Sequence, residues 1–508
     1  MTSAPTLVPG QTRLATWRAI HDGARVRLDD DARAGIEAAA RAVDALVDGG
    51  RPVYGLNTGF GRLAGVRIDD ADLRQLQKNL VMSHMTGYGP PLGADVVRLA
   101  MALKAASLGR GASGVRYGTV QLLEDMRERG VVPYLPAQGS VGASGDLAPL
   151  AHLSAVMIGM GQAWYDGALL DGADALRRAG LAPIVLAPKE GLALMNGTQV
   201  STALAMTGLF ALERAFKAAI AIGALSTEAL AGIASPFDAR IHAVRGHAGQ
   251  IEVAAAFRRL LDGSPMRAIS AASGKVQDPY SIRCQPQVLG ACLDLIRTAA
   301  NMLEIEGNAA SDNPLIFVDT GEAISGGNFH AEPVAFAADI LAIAIAELGN
   351  LSERRCNLLL DPAFSGLPPM LTVDAGLHSG YMTAHISAAA MAAENKQRAT
   401  PASIDTIPTA GNQEDHVSMA THGARRLLDM TATLRGILSI EALCAVQGLD
   451  LRGGEPYSEA LAGSVRCIRE RVPAMNEDRP IAPDMAAVAG LIGSGALAAA
   501  CPSLDGLF

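Results

Sequence analysis

Proline placement and apolar spacing divide much of the chain into long helical segments. Five of the intervals that contain no proline and are bounded by it are 189–235, 287–313, 334–361, 370–400 and 409–455. Because an interior proline breaks or kinks a helix, each interval predicts a long helix with well-marked ends. In the second interval, one helical face carries Cys292, Leu295, Ile296, Ala299 and Leu303. The third has so few polar residues that we expect its helix to be buried on most sides.

The beginning of the chain has a different pattern. Before about residue 112, shorter helical patterns are separated by glycine-containing loops at 54–65 and 87–93. We therefore expect a smaller N-terminal module over residues 1–112 and an extended helical-bundle domain over 113–508, which could divide again near residue 200. The predicted fold class is mainly α, a bundle of long helices with a smaller N-terminal helical module.

Composition narrows the range of partners. Hydrophobic residues make up 49% of the chain and aromatic residues only 4%, which favours closely packed, alanine-rich helices. The net charge is −9 and its charges are spread along the chain, so we expect neither a nucleic-acid nor a membrane partner. Six scattered cysteines indicate reduced thiols and no metal site, and residues 1–16 lack the pattern of a secretory signal. These features predict a cytoplasmic protein that acts on a small molecule.

The most informative segment is residues 138–152, QGSVGASGDLAPLAH. In a compressed turn, the amide nitrogen of Gly145 can reach the carbonyl carbon of Ala143, because glycine has no side chain to shield it. Ring closure with loss of water, including the hydroxyl of Ser144, would leave a 4-methylidene-imidazol-5-one (MIO), an electrophile that no ordinary side chain provides. The simpler alternative is a glycine-rich loop whose Asp146 caps the following helix.

The Ala-Ser-Gly triplet also occurs at residues 112–114 and 272–274. Neither copy has the glycine spacing of 139, 142 and 145 followed at once by an acidic residue, so we interpret both as ordinary turns or helix ends. The first copy belongs to a GxGxxG pattern at 109–114, but that pattern follows a helical segment and not a strand. A dinucleotide site is therefore not expected there.

Several blocks of the chain resemble, in the same order, those of the aromatic amino acid ammonia-lyases. They are residues 54–61 (YGLNTGFG), 138–152, 196–198 (NGT), 277–284 (QDPYSIRC), 326–330 (GGNFH) and 412–416 (NQEDH). Within that family the pattern is most similar to the histidine-specific members. His84, preceded by Ser83, and Glu414 stand where the phenylalanine- and tyrosine-specific members carry other residues.

The resemblance implies a reaction, a prosthetic group and an assembly. The reaction is the non-oxidative elimination of ammonia from L-histidine to give trans-urocanate, the first step of histidine degradation. The MIO group would form autocatalytically from Ala143, Ser144 and Gly145, with no external cofactor. The fold would be the all-helical architecture of the ammonia-lyase and fumarase superfamily, in a homotetramer whose active sites are shared between subunits.

The same resemblance implies roles for four charged or polar residues. Tyr280 would be the base that takes the β-hydrogen, with its phenol made a stronger acid by helix N-termini and by Arg283. The planar guanidinium of Arg283 would bind the substrate carboxylate. Glu414 and His84 would satisfy the donor and acceptor nitrogens of the imidazole and so set specificity.

Further site residues come from the other matching blocks. Tyr54 resembles the family's second catalytic tyrosine, which contacts the substrate from a neighbouring subunit, and its glycine-flanked loop would be a mobile lid. Asn196, Gln277 and Phe329 match positions that hydrogen-bond near the prosthetic group or line the pocket. Asn-Gly and Gly-Asn pairs also mark plain turns, so each position has a structural alternative.

Two alternative functions remain open at this point. The first is a tyrosine or phenylalanine ammonia-lyase or aminomutase of the same family. The second, from another class, is a catalytically silent helical scaffold with an unmodified Ser144. Met85, Tyr88 and His385 depart from the usual histidine-specific pattern. They bear on the range of substrates and not on the class of reaction.

Overall fold

A computed structural model describes residues 6–453, 456–504 and 506–508. The first five residues of the N-terminal segment analysed above lie outside these ranges, as do the last two residues of the proline-free interval 409–455.

Helices dominate the described part of the chain. The α-helices, in chain order, are α1 (Leu14–His21), α2 (Ala32–Asp48), α3 (Leu73–His84), α4 (Ala94–Gly109), α5 (Tyr117–Glu128), α6 (Leu147–Met157), α7 (Gly172–Arg178), α8 (Glu190–Met195), α9 (Gln199–Ala229), α10 (Ala239–Arg245), α11 (Ala248–Leu261), α12 (Met266–Ala272), α13 (Tyr280–Arg283), α14 (Gln285–Gly307), α15 (Glu332–Leu360), α16 (Pro362–Ser365), α17 (Met382–Arg398), α18 (Ala420–Arg452), α19 (Glu459–Arg469), α20 (Ala482–Gly493) and α21 (Ala496–Ala499). Short 3₁₀ turns connect some of them.

The strands are short and pair in small antiparallel sheets. They are β1 (Tyr88–Pro91), β2 (Val132–Pro133), β3 (Pro136–Gln138), β4 (Gln162–Tyr165), β5 (Ala168–Asp171), β6 (Leu315–Phe317) and β7 (Glu322–Ile324). β1 pairs with β3, β4 lies between β2 and β5, and β6 pairs with β7. The sequence patterns did not predict these strands, because each is too short to show a period of two.

The mainly α fold class is confirmed. Each proline-free interval holds all or most of one long helix, namely α9, α14, α15, α17 or α18. α14 and α15 begin two residues before their intervals, because a proline in the first turn of a helix costs no intrahelical hydrogen bond. Most of the predicted apolar stripe of α14 is buried, with Leu295 only half-buried. α15 is buried on most sides, but Phe336 and Ile343 are 48% and 46% exposed.

Two helices are long and apolar enough to cross a membrane by length and composition. They are α15 and α18, and 72% and 78% of their most apolar windows are buried inside the protein. Burial of this extent is typical of core helices, since a helix facing lipid would expose its apolar side chains.

The chain forms two compact units. The first comprises Met1–Thr207, Ala299–Asp339 and Pro401–Arg426, and the second comprises Gly208–Thr298, Ile340–Thr400 and Leu427–Phe508. The first unit contains the whole of residues 1–112 and extends beyond them. The division into domains 1–112 and 113–508 stays a prediction.

In the first unit, α2 packs against the β6–β7 hairpin. Ala39 and Val43 of the helix, Leu56 and Ile316 form a buried apolar cluster. Leu56 lies in the 54–61 loop, so its burial anchors that loop to the body of the unit. Burial of a large apolar side chain in this cluster stabilises the unit by roughly 1.5–3 kcal/mol relative to leaving that side chain exposed to water.

A second packing group in the first unit consists of α3, α6 and α8, each of which contacts the other two. His84 is the last residue of α3, Ser144 lies three residues before α6 begins, and Asn196 directly follows α8. The packing of three apolar helices therefore brings together residues that are far apart in the sequence.

The second unit contains a buried ion pair between long helices. Arg355 of α15 donates from Nη2 to Oε2 of Glu441 in α18 at 2.8 Å, and both side chains are inaccessible to solvent. Ser226 of α9 donates to Oε1 of the same carboxylate at 2.6 Å. A buried carboxylate with these partners fixes the register of the helices, since loss of one partner would leave a charge unpaired.

Candidate active site

The segment between β3 and α6 is a tight turn that requires glycine. Gly139, Gly142 and Gly145 have φ values of +133°, +68° and +71°, a region that residues with side chains rarely adopt. A Cβ atom at Gly145 would lie 2.1 Å from the carbonyl oxygen of Gly197. No side chain fits there, and the backbone of Gly145 therefore packs directly on a neighbouring strand-like segment.

Asp146 is buried at the end of this turn. Its buried carboxylate accepts from Ser201 N at 2.7 Å and from Thr421 Oγ1 at 2.6 Å. Burial raises the pKa of Asp146, and the hydrogen bonds from Ser201 and Thr421 oppose that rise. In the simpler alternative for this loop Asp146 would cap α6, but its side chain makes no such hydrogen bond and instead caps the first turn of α9.

Ser144 is held at its backbone and at its side chain. Asn196 Nδ2 donates to the Ser144 carbonyl oxygen at 2.7 Å. The Ser144 hydroxyl donates to Glu414 Oε1 at 2.6 Å, and Thr409 Oγ1 donates to the other carboxylate oxygen of Glu414 at 2.7 Å. The serine is thus oriented before any substrate arrives.

Lys104 supports Asn196 from inside α4. Its ammonium group, fully buried, donates to the backbone carbonyls of Asn196 at 2.8 Å and Ala193 at 3.1 Å. Burial lowers the pKa of Lys104 to about 7, although the negative charges of Asp312 and Asp146 act in the opposite direction. Lys104 was not among the site residues predicted from the sequence. The signal was a single lysine within an otherwise apolar helical stretch.

Ser144, Asn196 and Glu414 border a cavity of about 740 Å³ in the first unit. The predicted site residues that line it are Tyr54, His84, Ala143, Ser144, Asn196, Phe329 and Glu414. His84 Nδ1 lies 2.9 Å from the Leu80 carbonyl oxygen. An Nδ1–H that donates to this carbonyl leaves Nε2 with a lone pair that can accept a hydrogen bond.

Tyr54 occupies the cavity of its own chain. The resemblance implied that this tyrosine contacts the substrate from a neighbouring subunit, and the structure corrects that expectation, because Tyr54 and Ser144 of one protomer line the same cavity. The reason is local packing: Gln77 donates to the Gly55 carbonyl, and a Cβ at Gly55 would lie 2.6 Å from Leu192. The Tyr54 hydroxyl accepts from Gly61 N at 3.3 Å, which closes the loop on itself.

Three other predicted residues belong to the second unit. Tyr280 is 71% exposed, Gln277 is exposed and Arg283 is half-buried. The Arg283 guanidinium lies 4.5 Å from the centre of the Tyr280 ring, so these two side chains form one cationic and aromatic group. None of the three lines the cavity described above.

The residues that depart from the usual pattern lie elsewhere as well. Tyr88, on β1, is 79% exposed, and neither it nor Met85 lines the cavity. His385 Nε2 lies 2.8 Å from Glu353 Oε1 in the second unit. These three residues therefore do not shape the cavity directly.

Further polar residues at the cavity wall were not predicted from the sequence. Arg62 donates to the Gly411 carbonyl at 2.9 Å, and Asn313 Oδ1 accepts from Gly326 N at 2.7 Å. The rings of His330 and His416 also line the cavity, with centroids 5.6 Å apart. Both histidines lie in blocks that the sequence analysis recognised, although it gave them no role.

Cavity residues lie a few residues before the first turns of four helices. Ser144 is three residues before α6, Asn196 three before α9, His330 two before α15 and Glu414 six before α18. Helix N-termini carry partial positive charge from their free N–H groups. The wall of the cavity is therefore suited to a carboxylate or a developing negative charge.

Comparison with known proteins agrees with this geometry. The family model described as "Aromatic amino acid lyase" matches residues 12–470. The chain belongs to the aromatic amino acid lyase family. A histidine ammonia-lyase of Aromatoleum aromaticum is 54% identical over 501 residues, which cover 98% of this chain and 95% of that protein.

Solved structures of the family have the same fold. Histidine ammonia-lyase from Trypanosoma cruzi is 38% identical with a TM-score of 0.91, and the match covers 99% of this chain and 97% of that one. Tyrosine aminomutase from Streptomyces globisporus is 35% identical with a TM-score of 0.92, covering 98% of each chain. The fold is thus shared by lyases and aminomutases, so the fold alone does not choose between them.

Enzymes of the aromatic amino acid lyase family use an MIO group, and the residues of this chain fit one. A side chain at Gly145 is excluded by the Gly197 backbone, which leaves the Gly145 nitrogen unshielded. Asn196 Oδ1 is a buried acceptor without a hydrogen-bond donor among the described residues. An amide with one oriented donor and one unused acceptor is suited to holding a polar ring beside Ser144.

Proposed function

We propose that the protein is a histidine ammonia-lyase, which converts L-histidine to trans-urocanate and ammonia. The observation that carries this proposal is the 2.6 Å contact between the Ser144 hydroxyl and Glu414 in a cavity that His84 also lines. An electrophile formed at Ser144 would lie beside a carboxylate and an imidazole. Those two groups match the donor and acceptor nitrogens of a histidine side chain.

The prosthetic group would be an MIO formed from Ala143, Ser144 and Gly145. When formed, it would supply an electrophile that takes up the substrate and makes ammonia a better leaving group. Asn196 would hold the former Ser144 carbonyl through the hydrogen bond that it already donates at 2.7 Å. Lys104 would keep Asn196 in place through the Asn196 backbone.

Imidazole recognition would fall to Glu414 and His84. The carboxylate can accept the substrate's ring N–H, and one ring nitrogen of His84 can complete the hydrogen bonding of the other substrate nitrogen. A phenyl ring would cover both half-buried protein groups and offer neither a hydrogen bond in place of water, which is costly. Phe329 would pack against the apolar faces of the imidazole ring.

Tyr280 and Arg283 of the second unit would remove the proton and bind the substrate carboxylate. Tyr280 would take a proton from the substrate β-carbon, the electron pair of that C–H bond would form the C=C bond, and the Cα–N bond would break to release ammonia. Arg283 would bind the substrate carboxylate. Gln277 would hydrogen-bond at the edge of the same site, and Tyr54 would contact the substrate from the cavity wall.

Because Tyr280 and Arg283 are absent from the cavity wall, we infer that a neighbouring protomer supplies them in a homotetramer. The exposed apolar side chains of α15, Phe336 and Ile343, support self-association, since a helix face of this kind needs a covering partner. The cytoplasmic location stays a prediction from the sequence.

The direct test is to incubate the purified protein separately with L-histidine, L-tyrosine and L-phenylalanine. Ammonia release and the absorption spectrum of the product are then measured. We expect ammonia and urocanate from histidine alone. A coumarate or cinnamate spectrum, or a β-amino acid, would favour the sibling activities, of which an aminomutase is represented among the similar structures. Absence of turnover together with the full encoded mass would favour the silent scaffold, because MIO formation makes the chain lighter by two water molecules.

Sharing of sites between protomers can be tested by mixing two inactive variants. Ser144→Ala and Tyr280→Phe would each be nearly inactive alone. If different protomers supply these two residues to one site, mixed oligomers should regain part of the activity, since some sites then contain neither substitution. Mixtures without any recovery would contradict the shared site.

A further inference from the structure

A cluster of possible metal ligands lies at the wall of the cavity. His330 and His416 line the cavity, and Glu332 is the first residue of α15. Their ligand atoms, one from each residue, all lie within 4.8 Å of one another. None of these three residues has a role in the proposed reaction.

The hydrogen bonds of His330 leave one ring nitrogen facing the carboxylate. His330 Nε2 lies 3.3 Å from the His416 carbonyl oxygen, which can only accept a hydrogen bond. With the ring proton on Nε2, the lone pair of Nδ1 is directed towards Glu332 Oε2 at 3.8 Å. Oε2 is shielded from solvent and has no hydrogen-bond donor among the described residues.

Two acceptor atoms 3.8 Å apart repel each other unless a donor or a positive charge lies between them. One solution is a proton on His330 Nδ1, which would make a plain ion pair. A water molecule that donates to both atoms is a second solution, and a cation bound to both atoms is a third. A ligand histidine whose second nitrogen donates to a backbone carbonyl is the usual arrangement at metal sites, because that hydrogen bond fixes the tautomer and the ring orientation.

The donor set distinguishes between metals. Two imidazoles and one carboxylate suit Zn²⁺, which binds nitrogen at about 2.0–2.1 Å and keeps further positions for water or a ligand. Ca²⁺ and Mg²⁺ prefer sets made only of oxygen. The ring of His416 is exposed, so it can turn to shorten the longest separation in the cluster.

We propose that His330 Nδ1, Glu332 Oε2 and a ring nitrogen of His416 form a binding site for a divalent transition-metal ion such as Zn²⁺. The ion would border the cavity, because two of its three ligands line it. This site does not depend on the proposed lyase reaction, and its test uses no measurement of turnover.

The experiment is a titration of the full-length, untagged protein, freed of metal by chelation, with Zn²⁺ by calorimetry and with Co²⁺ by visible absorption. We expect one ion for each chain and a Co²⁺ spectrum of nitrogen and oxygen ligands. Glu332→Gln removes the anionic ligand and keeps the size of the side chain, so the affinity should fall by about 10-fold or more.

The matched control is Glu347→Gln, an exposed position on the same helix, which should bind as tightly as the wild type. His416→Asn, at an exposed position, should weaken binding as Glu332→Gln does, and circular dichroism will show that both variants fold. Equal affinity of the wild type and Glu332→Gln would overturn the proposal. Thiolate absorption bands with Co²⁺ would also overturn the proposal. Absence of saturable binding would overturn it too, and would leave the plain ion pair between His330 and Glu332.

Discussion

Two copies of the same tripeptide in the first unit have different surroundings. Residues 143–145 and 112–114 both read Ala-Ser-Gly, and the glycines have nearly equal φ values of +71° and +70°. A Cβ at either glycine would collide with a neighbour, at 2.1 Å for Gly145 and 2.4 Å for Gly114. Local sequence, backbone conformation and close packing are therefore shared.

The serine side chains distinguish the two copies. Ser113 is 1% exposed and donates to Asp312 Oδ1 at 2.9 Å, while Lys189 Nζ donates to its carbonyl at 2.7 Å. Ser144 instead lines the cavity and contacts Glu414. Ser113 is buried and hydrogen-bonded to Asp312 and Lys189, so its role is structural. Ser144 is open to a cavity and can take part in chemistry. Context outside the tripeptide makes this difference.

Ser144→Ala tests whether the serine that lines the cavity has a chemical role. Turnover should fall on the order of 10⁴-fold or more, because no electrophile can form without the serine hydroxyl. The chain should keep the full mass expected from its sequence, and its fold and assembly should be unchanged. Ammonia release and intact mass are the measurements. Retained activity would contradict the role of the 143–145 triplet.

Glu414→Gln tests the partner of Ser144. The amide keeps the size of the carboxylate but loses its charge, so histidine turnover should fall on the order of 10²-fold. The free energy of unfolding should change little, because the side chain is only half-buried. Steady-state kinetics and denaturant unfolding measure the two effects, and unchanged kinetics would remove Glu414 from substrate recognition.

Lys104 gives a pH test of the scaffold behind Ser144. Its pKa is about 7 in the folded protein and 10.5 ordinarily. Between these values the unfolded chain binds more protons, so the free energy of unfolding should rise with pH, at up to about 1.4 kcal/mol per pH unit. From pH 7 to pH 9, the free energy of unfolding of the wild type should rise by about 2 kcal/mol more than that of Lys104→Met, as measured by urea unfolding. Parallel pH profiles would exclude a titrating Lys104.

Ser113→Ala, in the structural copy, should affect stability and not turnover. Loss of the hydrogen bond to Asp312 leaves a buried acceptor less well satisfied, at a cost of about 1–3 kcal/mol. The measurement is the midpoint of urea unfolding together with kcat. A large loss of kcat at unchanged stability would show that the two copies are not separate in function.

The third copy of the triplet provides the smallest effect. Ser273 is exposed just after α12, and a Cβ at Gly274 would meet no atom within 4 Å among the described residues. Ser273→Ala should change the free energy of unfolding by less than about 0.5 kcal/mol and leave turnover unchanged. A larger shift in either quantity would mean that this helix end carries an interaction not seen in one protomer.

The site could be predicted in part from the sequence. Ser144, His84, Asn196 and Glu414 were found because each lies in a block whose residue types match a known chemistry. Lys104 was missed, because a lysine in an apolar helix does not by itself reveal which carbonyls it will reach. The subunit position of Tyr54 was wrong, because it depends on how its loop packs against α3 and α8.

The helical segments and the glycine positions of the turn at 139–146 follow from the amino-acid sequence alone. Proline positions fix where helices can end, and glycines fix where the backbone can take positive φ, and both effects are local. Tertiary packing brings Ser144 to Glu414, which lies 270 residues away in the chain, and places the Asp146 side chain at the first turn of α9 instead of α6. Such contacts depend on the packing of apolar helix faces, and residue type alone does not specify which faces meet.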